Sequence, residues 1–263
     1  MNPSRLLSKI VVKIARTPFP KPIQCFINKM YVKIYEIDMN EYIPEDPCSY
    51  KTLNDLFIRH KKYIEFYEDE DIVVSPSDSK VICEGEIENN QVYQIKGKKY
   101  SLNELIPYYE DELDGGYFVN LYLSPSDYHR FHVPIDMEIV SATYIPGTLK
   151  PVKPTVLEKE LVFPKNKRVI LKCRDSKNRY FYFVAVGAMI VGKIVMNFDE
   201  RLSIDYEKIM TFEYNTPIKL KKGDELGRFE FGSSILLFFT KEHFKYLNQK
   251  DYVEVGDILG EIY

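Results

Sequence analysis

His129 and His132 stand three residues apart in the run Ser124-Pro125-Ser126-Asp127-Tyr128-His129-Arg130-Phe131-His132-Val133-Pro134. An imidazole titrates close to neutrality, so either ring can accept and return a proton within one catalytic cycle. On a strand the two rings face opposite ways, and on a turn they can share a side. With no cysteine and no third imidazole nearby they form an incomplete zinc set, so no metal is expected. Histidines with a purely structural role remain the alternative to acid/base work.

Two further segments carry residues of the matching types. Ser75-Pro76-Ser77-Asp78-Ser79 is a polar turn following Ile72-Val73-Val74, from which Asp78 can orient an imidazole. Gly232-Ser233-Ser234 is a Gly-Ser step placed directly before the apolar run Ile235 to Phe239. Taken singly, the first reads as an Asx turn and the second as a tight turn that lacks the spacing of a nucleophile elbow. Taken together, a serine, a histidine pair and an aspartate supply the three roles of an activated hydroxyl.

The elements that must position these residues fall into two regions. Residues 1 to 33 contain seven basic side chains (Arg5, Lys9, Lys13, Arg16, Lys21, Lys29 and Lys33) and no acid, although the whole chain of 263 residues has a net charge of −3. Leu6, Leu7, Ile10, Val11 and Ile14 recur at helical intervals. After Pro18, Pro20 and Pro22 the pattern resumes with Ile23, Phe26, Ile27, Met30 and Ile34. Two basic amphipathic helices are therefore expected, suited to an anionic lipid surface or to packing on their own domain. The longest apolar run, Phe181 to Gly192, has twelve residues and ends at Lys193, short of the ~18 a spanning helix needs. No secretory signal is expected, because a compact apolar stretch with a small-residue cleavage site is missing. Residues 48 to 66 read as a further helix capped by Thr52, and the acidic run from Glu65 to Asp71 as a solvated linker.

From Ile72 onward the pattern becomes β-rich. Tyr117 to Leu123, Arg168 to Lys172 and Tyr180 to Val186 read as strands. The fully apolar Ile235 to Phe239 suits a buried strand, bracketed by the turns at Gly223-Asp224 and Gly256-Asp257. The expected fold class is α+β, with N-terminal amphipathic helices followed by a mainly antiparallel β-rich catalytic core. Residues 1–71 form the helical, membrane-associating region and linker, and residues 72–263 the catalytic domain. Cys25, Cys48, Cys83 and Cys173 are scattered without a CxxC pair, so reduced thiols are expected.

Tyr128 to Pro134, Val186-Gly187-Ala188-Met189-Ile190-Val191-Gly192 and Leu226 to Ser234 together resemble the bacterial phosphatidylserine decarboxylase family. Leu53 to Arg59, Ser75 to Asp78, Ile145 to Leu149 and Asn166 to Arg168 extend the likeness in family order over roughly residues 50 to 260. The chain departs from the family pattern at Ser79, at Lys167 and in lacking an Arg-Pro pair after the Leu53 segment. The resemblance implies a self-cleavage triad of Asp78, His132 and Ser233, with His129 serving decarboxylation or substrate binding.

It further implies a cut between Gly232 and Ser233, giving chains 1–232 and 233–263. Ser233 would then become a covalent pyruvoyl cofactor that acts through a Schiff base with the substrate amine, with no metal or pyridoxal phosphate. The implied partners are phosphatidylserine in an anionic membrane, and the two cleavage chains as a heterodimer able to pair into a homodimer of heterodimers. No nucleic acid is implied, and the implied location is peripheral, on the cytoplasmic side of the cell membrane. A pyruvoyl decarboxylase of a soluble amino acid would share this chemistry without using the basic helices. A lipoyl-like binding module would need a modified lysine at a hairpin tip, which the sequence does not offer.

Overall fold

The protein is described from a computed structural model covering residues 11–95, 97–107, 113–189, 193–230 and 232–263. The expected helix positions Arg5, Leu6, Leu7, Lys9 and Ile10, the motif residues Ile190, Val191 and Gly192, and Phe231 lie outside the described residues.

Residues 11–16 are helical (α1), and α2 spans Lys21–Ile34 with proline at its start. A two-stranded pair, β1 (Tyr42–Ile43) and β2 (His60–Lys61), flanks the short helix α3 (Leu53–Phe57). Thr52 caps α3 by accepting from the Asp55 N–H, as expected, but the helix ends after five residues instead of running through 48 to 66. Ile58 and Arg59 turn the chain into β2, whose pairing with β1 replaces helical hydrogen bonds.

The body then builds from β3 (Ile72–Val74), β4 (Ser79–Glu86), β5 (Gln91–Ile95), β6 (Lys98–Ser101), β7 (Tyr117–Leu123), β8 (Arg130–His132) and β9 (Met137–Ile145). It continues with β10 (Arg168–Asp175), β11 (Tyr180–Gly187), β12 (Ile194–Met196), β13 (Met210–Leu220) and β14 (Glu225–Phe229). β15 (Ser233–Phe239), β16 (Phe244–Tyr246), β17 (Tyr252–Val253) and β18 (Ile258–Ile262) complete it. The main sheet has eight strands in the order β13-β9-β10-β11-β15-β7-β4-β17, antiparallel at every pairing. The fold is thus α+β, with helices at the N-terminus and a mainly antiparallel body.

Hydrophobic pattern decides the position of each strand. β15 is buried at all seven positions, which an apolar run requires, and it lies between β11 and β7. β13 sits at the sheet edge, where its alternating side chains leave one row in water. β8 and β14 pair in a separate three-stranded sheet with β12.

The N-terminal region departs from expectation in its cysteines. Cys25 of α2 and Cys48 form a disulfide, so only Cys83 and Cys173 are free, against the expectation of four reduced thiols. A separation of 23 residues with no CxxC spacing concealed the pair, which α2 brings together by packing on the turn at Pro47–Ser49. The orientation of α2 bears on the two seats expected for its apolar row. Its inward face mixes apolar Tyr31 and Val32, packed on the hydrophobic cluster around Tyr42, Tyr50 and Leu56, with buried polar groups: Gln24 donates to Asn28 Oδ1 (2.7 Å), and Asn28 donates to the carbonyls of Pro47 and Tyr50. Its outward face carries Ile23, Phe26, Met30 and Ile34, all exposed.

Candidate active site

Ser233 opens β15, level with Leu123 of β7 and Gly187 of β11. Its hydroxyl and that of Ser234 are both sealed from solvent and have no hydrogen-bond partner among the described residues. Buried hydroxyls are ordinarily satisfied, so two adjacent orphans at a strand end mark a place where polar groups are held ready instead of used for folding. Gly232, just before them, has φ +39, a left-handed conformation that L side chains adopt rarely.

β8 brings the histidines alongside the strand that leads into Ser233. His132 is level with Glu225, and the His129 carbonyl accepts from the Phe229 N–H (2.9 Å). His129 therefore lies four residues of ladder before Ser233, and His132 eight. Nδ1 of His129 is 2.9 Å from the Asp127 carbonyl, and Nδ1 of His132 is 2.8 Å from that of Gly223. A carbonyl oxygen only accepts, so each Nδ1 carries the proton and each Nε2 presents a lone pair. Burial favours the neutral ring in both cases, lowering the pKa of His132 and bringing that of His129 down to about 3.

The two lone pairs differ in what occupies them. His132 Nε2 accepts from the Tyr128 hydroxyl (3.1 Å), and its ring lies between those of Tyr128 and Phe66. His129 Nε2 is buried without a partner among the described residues, with the Phe57 ring 4.0 Å from its own. Phe66 belongs to the acidic stretch expected to be a solvated linker, which instead brings an aromatic ring against His132.

Asp78 does not bond to either imidazole. Its carboxylate takes Lys61 Nζ at 3.0 Å on both oxygens and the Val255 N–H at 2.9 Å. Burial works against the Lys61 charge, yet neighbouring Asp78 holds its pKa above the usual value. The Asp78 turn is shaped by Ser75, whose hydroxyl donates to the Ser77 carbonyl.

Other residues of the site gave no signal of their own. Arg59, almost fully buried, donates to the Ser126 (2.5 Å) and Asp127 (3.3 Å) carbonyls and lies over the Tyr42 ring, which fixes the turn ahead of His129. Asp127 accepts from the Ser124 N–H (2.6 Å) and the Tyr252 hydroxyl (3.2 Å), and burial pushes its pKa up to about 6. Lys61, Tyr128 and Gly223 meet the expected residues only in the folded chain. Among the described residues no group of three or more His, Cys, Asp or Glu side chains is placed to hold a metal ion.

A neutral histidine with a free Nε2 can accept a proton, and the Ser233 hydroxyl is one that no described group holds. A pyruvoyl group fits this position, since its precursor is a serine at a strand end and the conversion consumes no other side chain.

Known proteins carry the same pattern. The family model for phosphatidylserine decarboxylase matches residues 53–261. A phosphatidylserine decarboxylase proenzyme of Helicobacter pylori is 40% identical over 264 residues, covering 99% of this chain and 98% of that protein. The proenzyme of Campylobacter jejuni is 41% identical over 92% of each chain, and that of Idiomarina loihiensis 34% identical over 99% of this chain and 93% of its own. With motifs from Leu53 to Glu261 in family order on an antiparallel body, this chain belongs to the phosphatidylserine decarboxylase family.

Proposed function

We propose that this protein converts phosphatidylserine to phosphatidylethanolamine and carbon dioxide, using a pyruvoyl group made from its own Ser233. The observation that carries the reading is the buried, unpartnered Ser233 hydroxyl directly after Gly232 at the head of the central strand.

In self-cleavage, Ser233 Oγ attacks the Gly232 carbonyl and gives its proton to a neutral imidazole. The Gly232–Ser233 C–N bond breaks, the nitrogen takes a proton to become an amine, and an ester links the two residues. Loss of the Ser233 Cα proton expels the Gly232 carboxylate and leaves dehydroalanine, which takes up one water and releases ammonia. Gly232 offers a carbonyl with no neighbouring side chain of its own. The ketone so formed would capture the substrate amine and accept the electron pair freed as carbon dioxide leaves.

His132 is the base by family resemblance, with Asp78 as its orienter. In the uncut chain this requires Tyr128 to release Nε2 and Lys61 to release Asp78. The free Nε2 of His129 favours a second reading in which that ring takes the serine proton. Around the reacting atoms, Gly223 and Asp127 fix the tautomers, Arg59 holds the turn before His129, and the buried walls exclude water.

The products stay together without a covalent link. Residues 233–263 supply β15 at the centre of the sheet, β17 paired to β4, and β18 paired to β3. The outward apolar face of α2 with Lys21, Lys29 and Lys33 supports a peripheral seat on the cytoplasmic face of the cell membrane, where a lipid headgroup can be reached. A soluble amino-acid substrate would leave that face without a purpose.

Mass spectrometry of the purified chain tests the chemistry. Wild type should give two polypeptides split after Gly232, the smaller one blocked by pyruvate, and release carbon dioxide from phosphatidylserine vesicles but not from free serine. Ser233→Ala should stay whole, while Ser234→Ala should still be cut. Loss of cleavage in His132→Ala, with His129→Ala cut but inactive, supports His132 as base; the opposite pattern assigns the step to His129. An intact wild-type chain that is nonetheless an active decarboxylase would falsify the mechanism.

A further inference from the structure

α1 reaches the cleavage segment from outside the catalytic body. Arg16, the last helical residue of α1, forms an ion pair with Glu230, two residues before Gly232. The Arg16 side chain is 41% exposed and that of Glu230 only 9%. The Glu230 Oε2 facing the guanidinium is sealed from solvent, and among the described residues Arg16 is its one ion-pair partner. The Glu230 N–H is tied to the Lys193 carbonyl (3.0 Å), which fixes the backbone on the other side. One residue earlier, Ala15 is buried against Phe57, whose ring abuts His129. A single turn of α1 thus touches both the segment carrying the scissile bond and the aromatic support of a site histidine.

A buried carboxylate that loses its only countercharge must find water or another cation, and the backbone carrying it moves. Attack by Ser233 on the preceding carbonyl requires the reacting atoms about 3–3.5 Å apart, and a misplacement of about 1 Å can slow such a step ~100-fold.

We propose that Arg16 is a positioning residue for self-cleavage, holding the segment before Gly232 through Glu230, so that the chain cuts itself quickly only when α1 is seated. This rests on the proposed cleavage at Ser233. It assigns to the N-terminal helix a control over maturation separate from contact with lipid.

The test is a time course of self-cleavage in freshly translated full-length chain. Arg16→Gln should slow the first-order rate by about tenfold or more, whereas Arg16→Lys, which keeps the charge, should stay within about threefold of wild type. Adding Glu230→Gln to Arg16→Gln removes the stranded charge and should recover most of the lost rate. The same substitutions in a Ser233→Ala background, followed by thermal melting, report folding apart from cleavage. A chain that is folded at the assay temperature but slow supports the assignment. Cleavage of Arg16→Gln at the wild-type rate, a double substitution as slow as the product of its parts, or slowing that merely tracks the unfolded fraction overturns it. A wild-type chain that is never cut would remove the proposed chemistry as well, whereas a cut wild type with an unaffected Arg16→Gln removes only the role of Arg16.

Discussion

His129 and His132 have the same tautomer and the same neutral charge, for the same reason: each Nδ1–H is spent on a carbonyl, and burial disfavours the cation. They differ in the atom on the far side of the ring, a tyrosine hydroxyl for one and nothing for the other. Asp127, whose carbonyl fixes His129, has its carboxyl pKa raised to about 6 by burial. Because its folded pKa lies above the unfolded value of about 3.9, the folded protein binds the proton more tightly than the unfolded chain does. Asp127 therefore favours folding most below pH ~4, and that contribution falls as pH rises to about 6. Asp127→Asn keeps an acceptor for the Ser124 N–H and removes the titration. Denaturant unfolding of uncut Ser233→Ala chains, with and without Asp127→Asn, should show the Asn form gaining relative stability as pH rises from 4 to 6, then levelling. A difference that stays flat across this window would place the Asp127 pKa near its ordinary value.

At the scale of elements, the turns turn out to hold the site. The Gly256-Asp257 turn presents the Val255 N–H to Asp78, and Gly256 has φ +94 with the Glu65 carbonyl 2.1 Å from where a Cβ would sit. Gly97 also has positive φ (+84) but meets nothing within 4 Å. Gly97→Ala should therefore cost only the backbone strain, about 1 kcal/mol, while Gly256→Ala must in addition displace the strap around Glu65 and cost several-fold more. Thermal melting of the two variants in an uncut background compares them directly, and equal losses would mean the close approach at Gly256 is relieved cheaply. The Gly256-Asp257 turn was legible from its Gly-Asp pair, just as β7 and β15 were legible from apolar runs, because local periodicity reports burial on one or both faces. Their partners were not legible. Lys61 meets Asp78, and Gly223 meets His132, across 17 and 91 residues of sequence, and nothing local distinguishes either from a surface lysine or an ordinary turn glycine. The helix expected from 48 to 66 failed for a related reason: pairing of His60–Lys61 with Tyr42–Ile43 is a contact between distant residues that overrides helical periodicity.

For the molecule as a whole, α2 packs Tyr31 and Val32 inward beside buried Gln24 and Asn28 and leaves a second apolar row exposed. Periodicity announced an amphipathic helix but not which face would turn inward, since Gln24 and Asn28 were not expected to find buried partners at Phe19, Pro47 and Tyr50. With those polar groups satisfied inside, Ile23, Phe26, Met30 and Ile34 are left outward beside Lys21, Lys29 and Lys33, and Ile14 of α1 is exposed as well. None of the described helices is long and apolar enough to cross a membrane, so this face can enter a bilayer only at its surface. Full burial of one such side chain contributes ~1.5–3 kcal/mol, and each lysine near an anionic surface about 1 kcal/mol. Phe26→Glu combined with Ile34→Glu should thus lower binding to phosphatidylserine-containing vesicles by well over about tenfold in a flotation assay. The melting temperature should barely move, because exposed positions rarely change stability by more than about 0.5 kcal/mol. Replacing Lys29 and Lys33 by Gln should weaken binding less and only at low salt, where surface charge is poorly screened. If the apolar substitutions leave flotation unchanged but convert a dimer to a monomer in light scattering, the face is covered by a second copy of the chain and the membrane assignment falls.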